Sequence, residues 1–389
     1  MRIDAVEMIF VAVPLKCPFV SAVESRPLKT AWLLAVSAEG MTGYAECGAD
    51  RTALYAPETH ASVYYAWKNE LLPRLWQAND LTGPSDIEPI FAPVRGHSMA
   101  KAAIEMALWD LFARLANKPL WMMWPEAKEK RTICASAAVA RVGDLNGALH
   151  DAEEFFTQGY HRIKIKIQPG WDLQPLAALR RQLPEAVLSA DANGSYDGKP
   201  VETLRALDAW QLAALEQPYP AEDWMHLQAA AQLLTTPVCL DESVTSLDRI
   251  KLTGQLGISA IFNVKAARLG GYGPTRRVLQ AIHAAGGHAW CGGLLETGIG
   301  RAHNLHAATL PAFDLPAELS ASNRYFAEDL IDPPFVLEAG GRIAVPSGVG
   351  IGVEPNPLKL ARFSLYRETL RPQKTTWWQG LPHGLGVGF

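Results

Sequence analysis

Hydrophobic and polar positions change period as the chain is followed from its start. Between residues 3 and 48 they alternate and are rich in β-branched side chains, with Ala38-Glu39-Gly40 separating the runs 31–36 and 41–47. That pattern predicts a small antiparallel sheet. Over 61–76 and 99–115 the apolar residues recur at helical spacing. Ala103, Met106, Ala107, Leu111 and Leu115 share one face, and Ser98 is placed to cap the second helix. From about residue 128 short β-like runs alternate with helical segments. The strand candidates are 133–139, 162–167, 186–191, 213–216, 238–241, 260–265, 288–291 and 314–319. Alternation of this kind builds a parallel sheet, and eight strands predict a closed β/α barrel rather than an open sheet. Past Ser320 the alternation stops, and a Pro- and Gly-rich tail is expected to return to the N-terminal sheet. Its last stretch, with Trp377 and Trp378, carries no functional reading.

Composition agrees with a folded body: 49% of the 389 residues are hydrophobic and 20% charged. A formal net charge of -4 gives no basic footprint for nucleic acid or an anionic membrane surface, so a small-molecule partner is expected. The five cysteines are scattered, with no C-x-x-C pair, and read as reduced thiols. No apolar run reaches membrane-spanning length, and the first residues lack the pattern of a signal peptide. The expectation is a cytoplasmic homo-oligomer.

One spacing carries the chemistry. Lys166, Asp191, Glu216 and Asp241 are each 25 residues apart, and Lys265 follows 24 residues later. That interval is one βα unit, and each residue ends a predicted strand, where β/α barrels place their active sites. Three carboxylates converging on one mouth raise each other's pKa unless a cation compensates them. All-oxygen ligation by Asp191, Glu216 and Asp241 favours a hard ion, Mg²⁺ with Mn²⁺ as the alternative. Lys164 and Lys166 share one strand face, because side chains alternate with period two. Lys265, on the sixth predicted strand, lies half-way round the ring from the second, which carries Lys166, so Lys166 and Lys265 approach a substrate from opposite sides. Desolvation can lower a lysine to about 7–8 and make it a usable base. The histidines His283, His288, His303 and His306 show no ligand spacing and read as structural. Asn193 is either an orienting residue or part of an Asn-Gly turn. The run from Gly292 to Gly300 is a glycine loop feeding a helix, able to offer backbone N–H groups to an anion.

Asp191-Ala192-Asn193, Glu216-Gln217-Pro218 and Leu240-Asp241-Glu242-Ser243, with Lys164-x-Lys166 and Lys265, resemble the muconate-lactonising branch of the enolase superfamily. The segments 166–172, 290–303 and 320–325 are similar to the o-succinylbenzoate synthase group that also contains N-acylamino acid (N-succinylamino acid) racemases. The resemblance implies a modified TIM (β/α)7β barrel over 129–324 under an α+β capping domain of 1–128, completed by 325–389. It implies Lys164 holding the substrate carboxylate, Lys166 and Lys265 as the acid/base pair, and a metal-stabilised enediolate; lysine bases with Mg²⁺ are the handed-down pattern for this superfamily. The leading expectation is an o-succinylbenzoate synthase that dehydrates 2-succinyl-6-hydroxy-2,4-cyclohexadiene-1-carboxylate for menaquinone biosynthesis, with racemase activity beside it. The alternatives are a dedicated N-acylamino acid racemase and a non-catalytic metal- or ligand-binding protein. Arg268 is placed to tune Lys265, and Ser136, Gly293 and Leu294 are expected contacts of the succinyl part. The small first strand, Cys134 to Val139, departs from the family's usual one and alters the expected pocket shape.

Overall fold

The computed structural model describes residues 1–20, 25–78, 80–258 and 261–372. The tail with Trp377 and Trp378, and Ala260 of one predicted strand, lie outside the described residues.

The alternating N-terminal run folds as predicted into strands β1 (Ala5–Val20), β2 (Ser25–Ala38) and β3 (Met41–Glu46). Glu39 and Gly40 both have positive φ, 53° and 77°, the conformation a tight two-residue hairpin needs between right-twisted strands. Val6, Met8, Val36 and Ala45 are buried, and the sheet packs them onto the helix Ser98–Leu115. Gly43 is the point of closest approach: a Cβ there would lie 2.2 Å from the Ala107 carbonyl oxygen. Ser98 does not cap this helix. The capping position is His97, in a left-handed conformation and without a side-chain hydrogen bond, and the carboxylate of Glu58 accepts from the Met99 and Ala100 amides instead. A carboxylate reaching in from outside the helix satisfies free amides as well as a local serine does.

Beyond the cap the chain forms β4 (Thr132–Cys134), β5 (Ser136–Val139), β6 (Arg162–Lys166), β7 (Leu188–Asp191), β8 (Leu215–Glu216), β9 (Val238–Leu240), β10 (Ile261–Val264) and β11 (His288–Cys291). Strands β5 to β11 make one parallel seven-stranded sheet in chain order. The predicted eighth strand contributes single parallel bridges, Ala317 to Ala135 and Glu318 to Gly292, which close the ring. The predicted first strand is split: β4 leaves the barrel and pairs antiparallel with β12 (Arg342–Ala344). Strand β13 (Ser364–Leu370) pairs antiparallel with β1, so residues from late in the chain complete the cap sheet in the order β13-β1-β2-β3. No helix among the described residues is long and apolar enough to cross a membrane. All five cysteines are free thiols.

Candidate active site

The barrel register brings the spaced residues to one rim. Lys166 pairs in register with Asp191 and Asp191 with Glu216 at the ends of β6, β7 and β8, while Asp241 and Lys265 follow directly on β9 and β10. The turns after these strands are tightly specified. Asn193 and Gln217 adopt positive φ, 43° and 37°, conformations that non-glycine residues hold only where surrounding contacts impose them. Gln217 Oε1 accepts from the amides of Asp241 (3.0 Å) and Ser243 (3.2 Å), so the residue after Glu216 fixes the loop that carries Asp241.

Above the rim lies a cavity of about 230 Å³. Lys164, Lys166, Asp191, Asp241 and Lys265 line it from the barrel, and Arg26, Asp50, Leu54 and Tyr55 from the cap. Ser136, Gly293 and Leu294 also line it. Arg268 does not: it sits behind Asp241, with Nη2 2.7 Å from Asp241 Oδ1 and Nη1 donating to the Tyr55 hydroxyl at 2.8 Å.

The charged groups interlock. Lys164 Nζ is 2.9 Å from Asp191 Oδ2 and 3.0 Å from Glu216 Oε2, and it also pairs with Glu318. Lys166 Nζ donates to Asp191 Oδ2 and to Asn193 Oδ1, each at 2.6 Å. Lys265 Nζ donates to Asp241 Oδ2 and to the Tyr55 hydroxyl, each at 2.7 Å. Asn193 Nδ2 in turn donates to Glu242 Oε1 at 2.7 Å, which gives it an orienting role inside its turn. Burial alone would depress the Lys265 and Lys164 ammonium groups, as the sequence led us to expect. The neighbouring carboxylates outweigh it, Asp241 for Lys265 and Asp191 with Glu216 for Lys164, and both lysines are held above the usual range. Burial likewise pushes the carboxyls up. In Asp191 the two lysines win and hold it down to about 2, whereas Glu216, facing Asp191 as well, stays raised.

The donor set suits a hard divalent cation. Asp191, Glu216 and Asp241 offer only carboxylate oxygens from neighbouring strands, and Glu242 Oε2, next along the chain from Asp241, is buried without a hydrogen-bond partner. Among the described residues no three Asp, Glu, His or Cys side chains are drawn into a ready ligand cluster. Lysine ammonium groups stand between the carboxylates instead.

Two participants carried no spacing signal that we read. Tyr55 reaches in from the cap loop after β3. Glu318 stands on the eighth barrel segment, where Asn263 Nδ2 donates to it (2.8 Å) and to Glu216 (2.9 Å). In the glycine loop, the amides at the start of the following helix, Gly298–Ala307, are taken by the protein's own carboxylates. Glu46 Oε2 accepts from Thr297 N (2.9 Å) and Gly300 N (3.4 Å), and Asp329 Oδ1 from Gly298 N (2.8 Å). The buried His303 and His306 serve packing, and His288 pairs with Asp314 near the surface.

Residues 148–359 match the family described as Enolase C-terminal domain-like, and residues 5–124 match the Mandelate racemase / muconate lactonizing enzyme, N-terminal domain. The chain belongs to the enolase superfamily. Within that superfamily it is 40% identical to an N-succinylamino acid racemase of Thermus thermophilus, over 91% of this chain and 95% of the relative. It is 34% identical to an o-succinylbenzoate synthase of Enterococcus faecalis, over 95% and 100% of the two chains. A solved superfamily member from Listeria innocua superposes with a TM-score of 0.91 at 33% identity, covering 96% of this chain and 100% of that one. A muconate lactonizing enzyme at 21% identity shares the fold, with a TM-score of 0.83.

Proposed function

We propose that this superfamily member is a divalent-metal-dependent o-succinylbenzoate synthase that also racemises N-succinylamino acids. The observation that carries the reading is the placement of Lys166 and Lys265 on β6 and after β10, four strands apart round an eight-membered ring, facing one cavity with three carboxylates between them. Two groups able to move a proton at opposite faces of one carbon suit chemistry next to a carboxylate. Asp191, Glu216 and Asp241 would hold the metal, Mg²⁺ by the hardness of its donors. When bound it would supply positive charge to the substrate carboxylate and take up negative charge now shared with the lysines.

Lys164 holds the substrate carboxylate. Lys166, in its neutral form, removes the proton on the adjacent carbon and leaves an enediolate. In synthesis the proton then on Lys166 passes to the departing β-hydroxyl, which leaves as water and yields the aromatic product, while the Lys265 ammonium stands beside the ring as a cation–π partner. In racemisation the lysine on the far side returns a proton to the other face. Ser136, Gly293 and Leu294, on the cavity wall, contact the succinyl arm. Arg268, behind Asp241, sets the position of Lys265 through the shared Tyr55 hydroxyl.

A dedicated N-acylamino acid racemase is the second reading, favoured by the 40% identity to a relative of that name. A non-catalytic binding protein would not need both lysines. The purified protein, assayed with both substrates with and without EDTA, is expected to form a product with a new ultraviolet band and to exchange the α-proton of N-succinylamino acids, both lost with EDTA. No turnover of either substrate would sink the assignment.

A further inference from the structure

We propose that Arg162, on the inner face of the barrel beneath the catalytic rim, is a positioning residue whose fixed positive charge enables the site to accept a second carboxylate, that of the substrate. The inference rests on the function proposed above.

Arg162, Lys164 and Lys166 alternate along β6 and share its inward face, so Arg162 lies one rung, roughly 6.6 Å, below Lys164. Barrel interiors at this depth are filled by branched aliphatic side chains. Here a guanidinium only 3% exposed crosses the lumen and stacks on Trp290, its carbon 3.7 Å from the ring centroid. Trp290 belongs to a small floor cluster with Ala214, Cys239 and Ile261. Nε and Nη2 of Arg162 have no hydrogen-bond partner, and the residue joins no ion pair among the described residues. A cation buried this way destabilises a fold unless something offsets it.

The offset lies above. In register with Trp290 stands Asn263, whose side-chain amide donates to both Glu216 and Glu318. Burial lowers Arg162, and Glu318 and then Glu216 are the carboxylates that most favour its charged form. Seen from Lys164, one ammonium faces three carboxylates, Asp191, Glu216 and Glu318. A metal held by Asp191, Glu216 and Asp241 would offset the first two, so Glu318 is the carboxylate whose charge a substrate carboxylate arriving at Lys164 still meets. Arg162 is the cation beneath it, permanently charged and not committed to any single partner, and it reduces the repulsion without touching the substrate.

Arg162→Met replaces the guanidinium with an apolar chain of similar reach. It is expected to hold or raise the melting temperature, since an unpaired buried charge is removed, while raising KM about tenfold and leaving kcat within about threefold. Arg162→Lys, which keeps the charge, is expected to stay within about threefold of the parent KM. Unchanged KM in Arg162→Met would overturn the inference, as would equal impairment of both variants, which would make shape the cause. So would an Arg162→Met that cannot fold beside a normal Arg162→Lys, which would place the charge in stability alone. Parent protein that turns over neither substrate would defeat the proposed reaction rather than this inference. Calorimetric binding of o-succinylbenzoate to parent and Arg162→Met would still read the inference, with weaker binding by the variant expected and equal binding overturning it.

Discussion

Lys166 and Lys265 differ in their surroundings, and the difference gives each a separable consequence. Lys166 is tied to Asp191 and Asn193 on the barrel, whereas Lys265 also touches the cap through Tyr55. Lys166→Ala is expected to cost both activities on the order of 10²–10⁴-fold, the usual size of a general-base contribution. Lys265→Ala should lose racemisation by a similar factor and lose less of the synthesis, where it only faces the ring. Steady-state rates of both variants with both substrates check this; equal losses in every assay would remove the division of labour. These two lysines and the carboxylates between them were legible in the sequence because their spacing is one βα unit, a length that geometry sets. Glu318 was missed although it obeys nearly the same count. The unit between Lys265 and Glu318 places Gly292 at the rim, and a glycine there breaks any run of polar residues in the reading. Tyr55 had no such count to obey, since a loop residue of the cap takes its place from tertiary packing.

Local pattern predicted the cap strands and seven of the eight barrel strands, yet it misread how helices begin. The amides that open Ser98–Leu115 and Gly298–Ala307 are satisfied by Glu58, Glu46 and Asp329, carboxylates distant in sequence, and a search for local caps cannot find them. The second case has a functional edge. Glu46 ends β3 and is buried beside Lys29, 3.6 Å away, and Lys29 donates to the Leu294 carbonyl on the cavity wall at 3.1 Å. Glu46→Ala would strip the start of the barrel helix and take from the buried Lys29 its ion-pair partner. The expected cost is about 3–5 kcal/mol of stability, read as a lower urea midpoint, together with a raised KM as the Leu294 loop loosens. A midpoint equal to that of the parent would show that the pair does not hold cap and barrel together. The split of β4 from β5 has a comparable origin: Ala135 marks the point where one run changes partners from β12 to the barrel, and nothing in its small, mostly apolar side chains marks the change.

Across the whole molecule, protonation sets opposing demands. His303 and His306 are buried and neutral; burial lowers them to about 4 and about 3. His303 Nε2 meets the Tyr44 carbonyl of β3 while Nδ1 meets the Tyr272 hydroxyl, which a neutral ring satisfies. Their folded pKa values lie below the unfolded value near 6.5, so the stability they contribute is complete above pH 6.5 and drains as pH falls through the folded values. Glu105 and Asp110, raised by burial to about 7 and about 6, act in the other direction between their unfolded and folded values. The two effects oppose each other down to about pH 4.5; below that the histidines act with the paired carboxylates of the site. Thermal midpoints should therefore vary little from about pH 6.5 to 4.5 and fall steeply beneath it. A loss confined to the alkaline side would contradict this sign. The pairing of β1 with β13 has a consequence of another kind, in time. On a ribosome adding 5–20 residues per second, β13 follows β1 by roughly tens of seconds, and until it arrives one edge of β1 has no neighbour. A bare strand edge is a template for pairing with other chains. The newborn cap is thus exposed to aggregation while the barrel beneath it is still being made, and slower translation between residues 20 and 364 would lengthen that exposure.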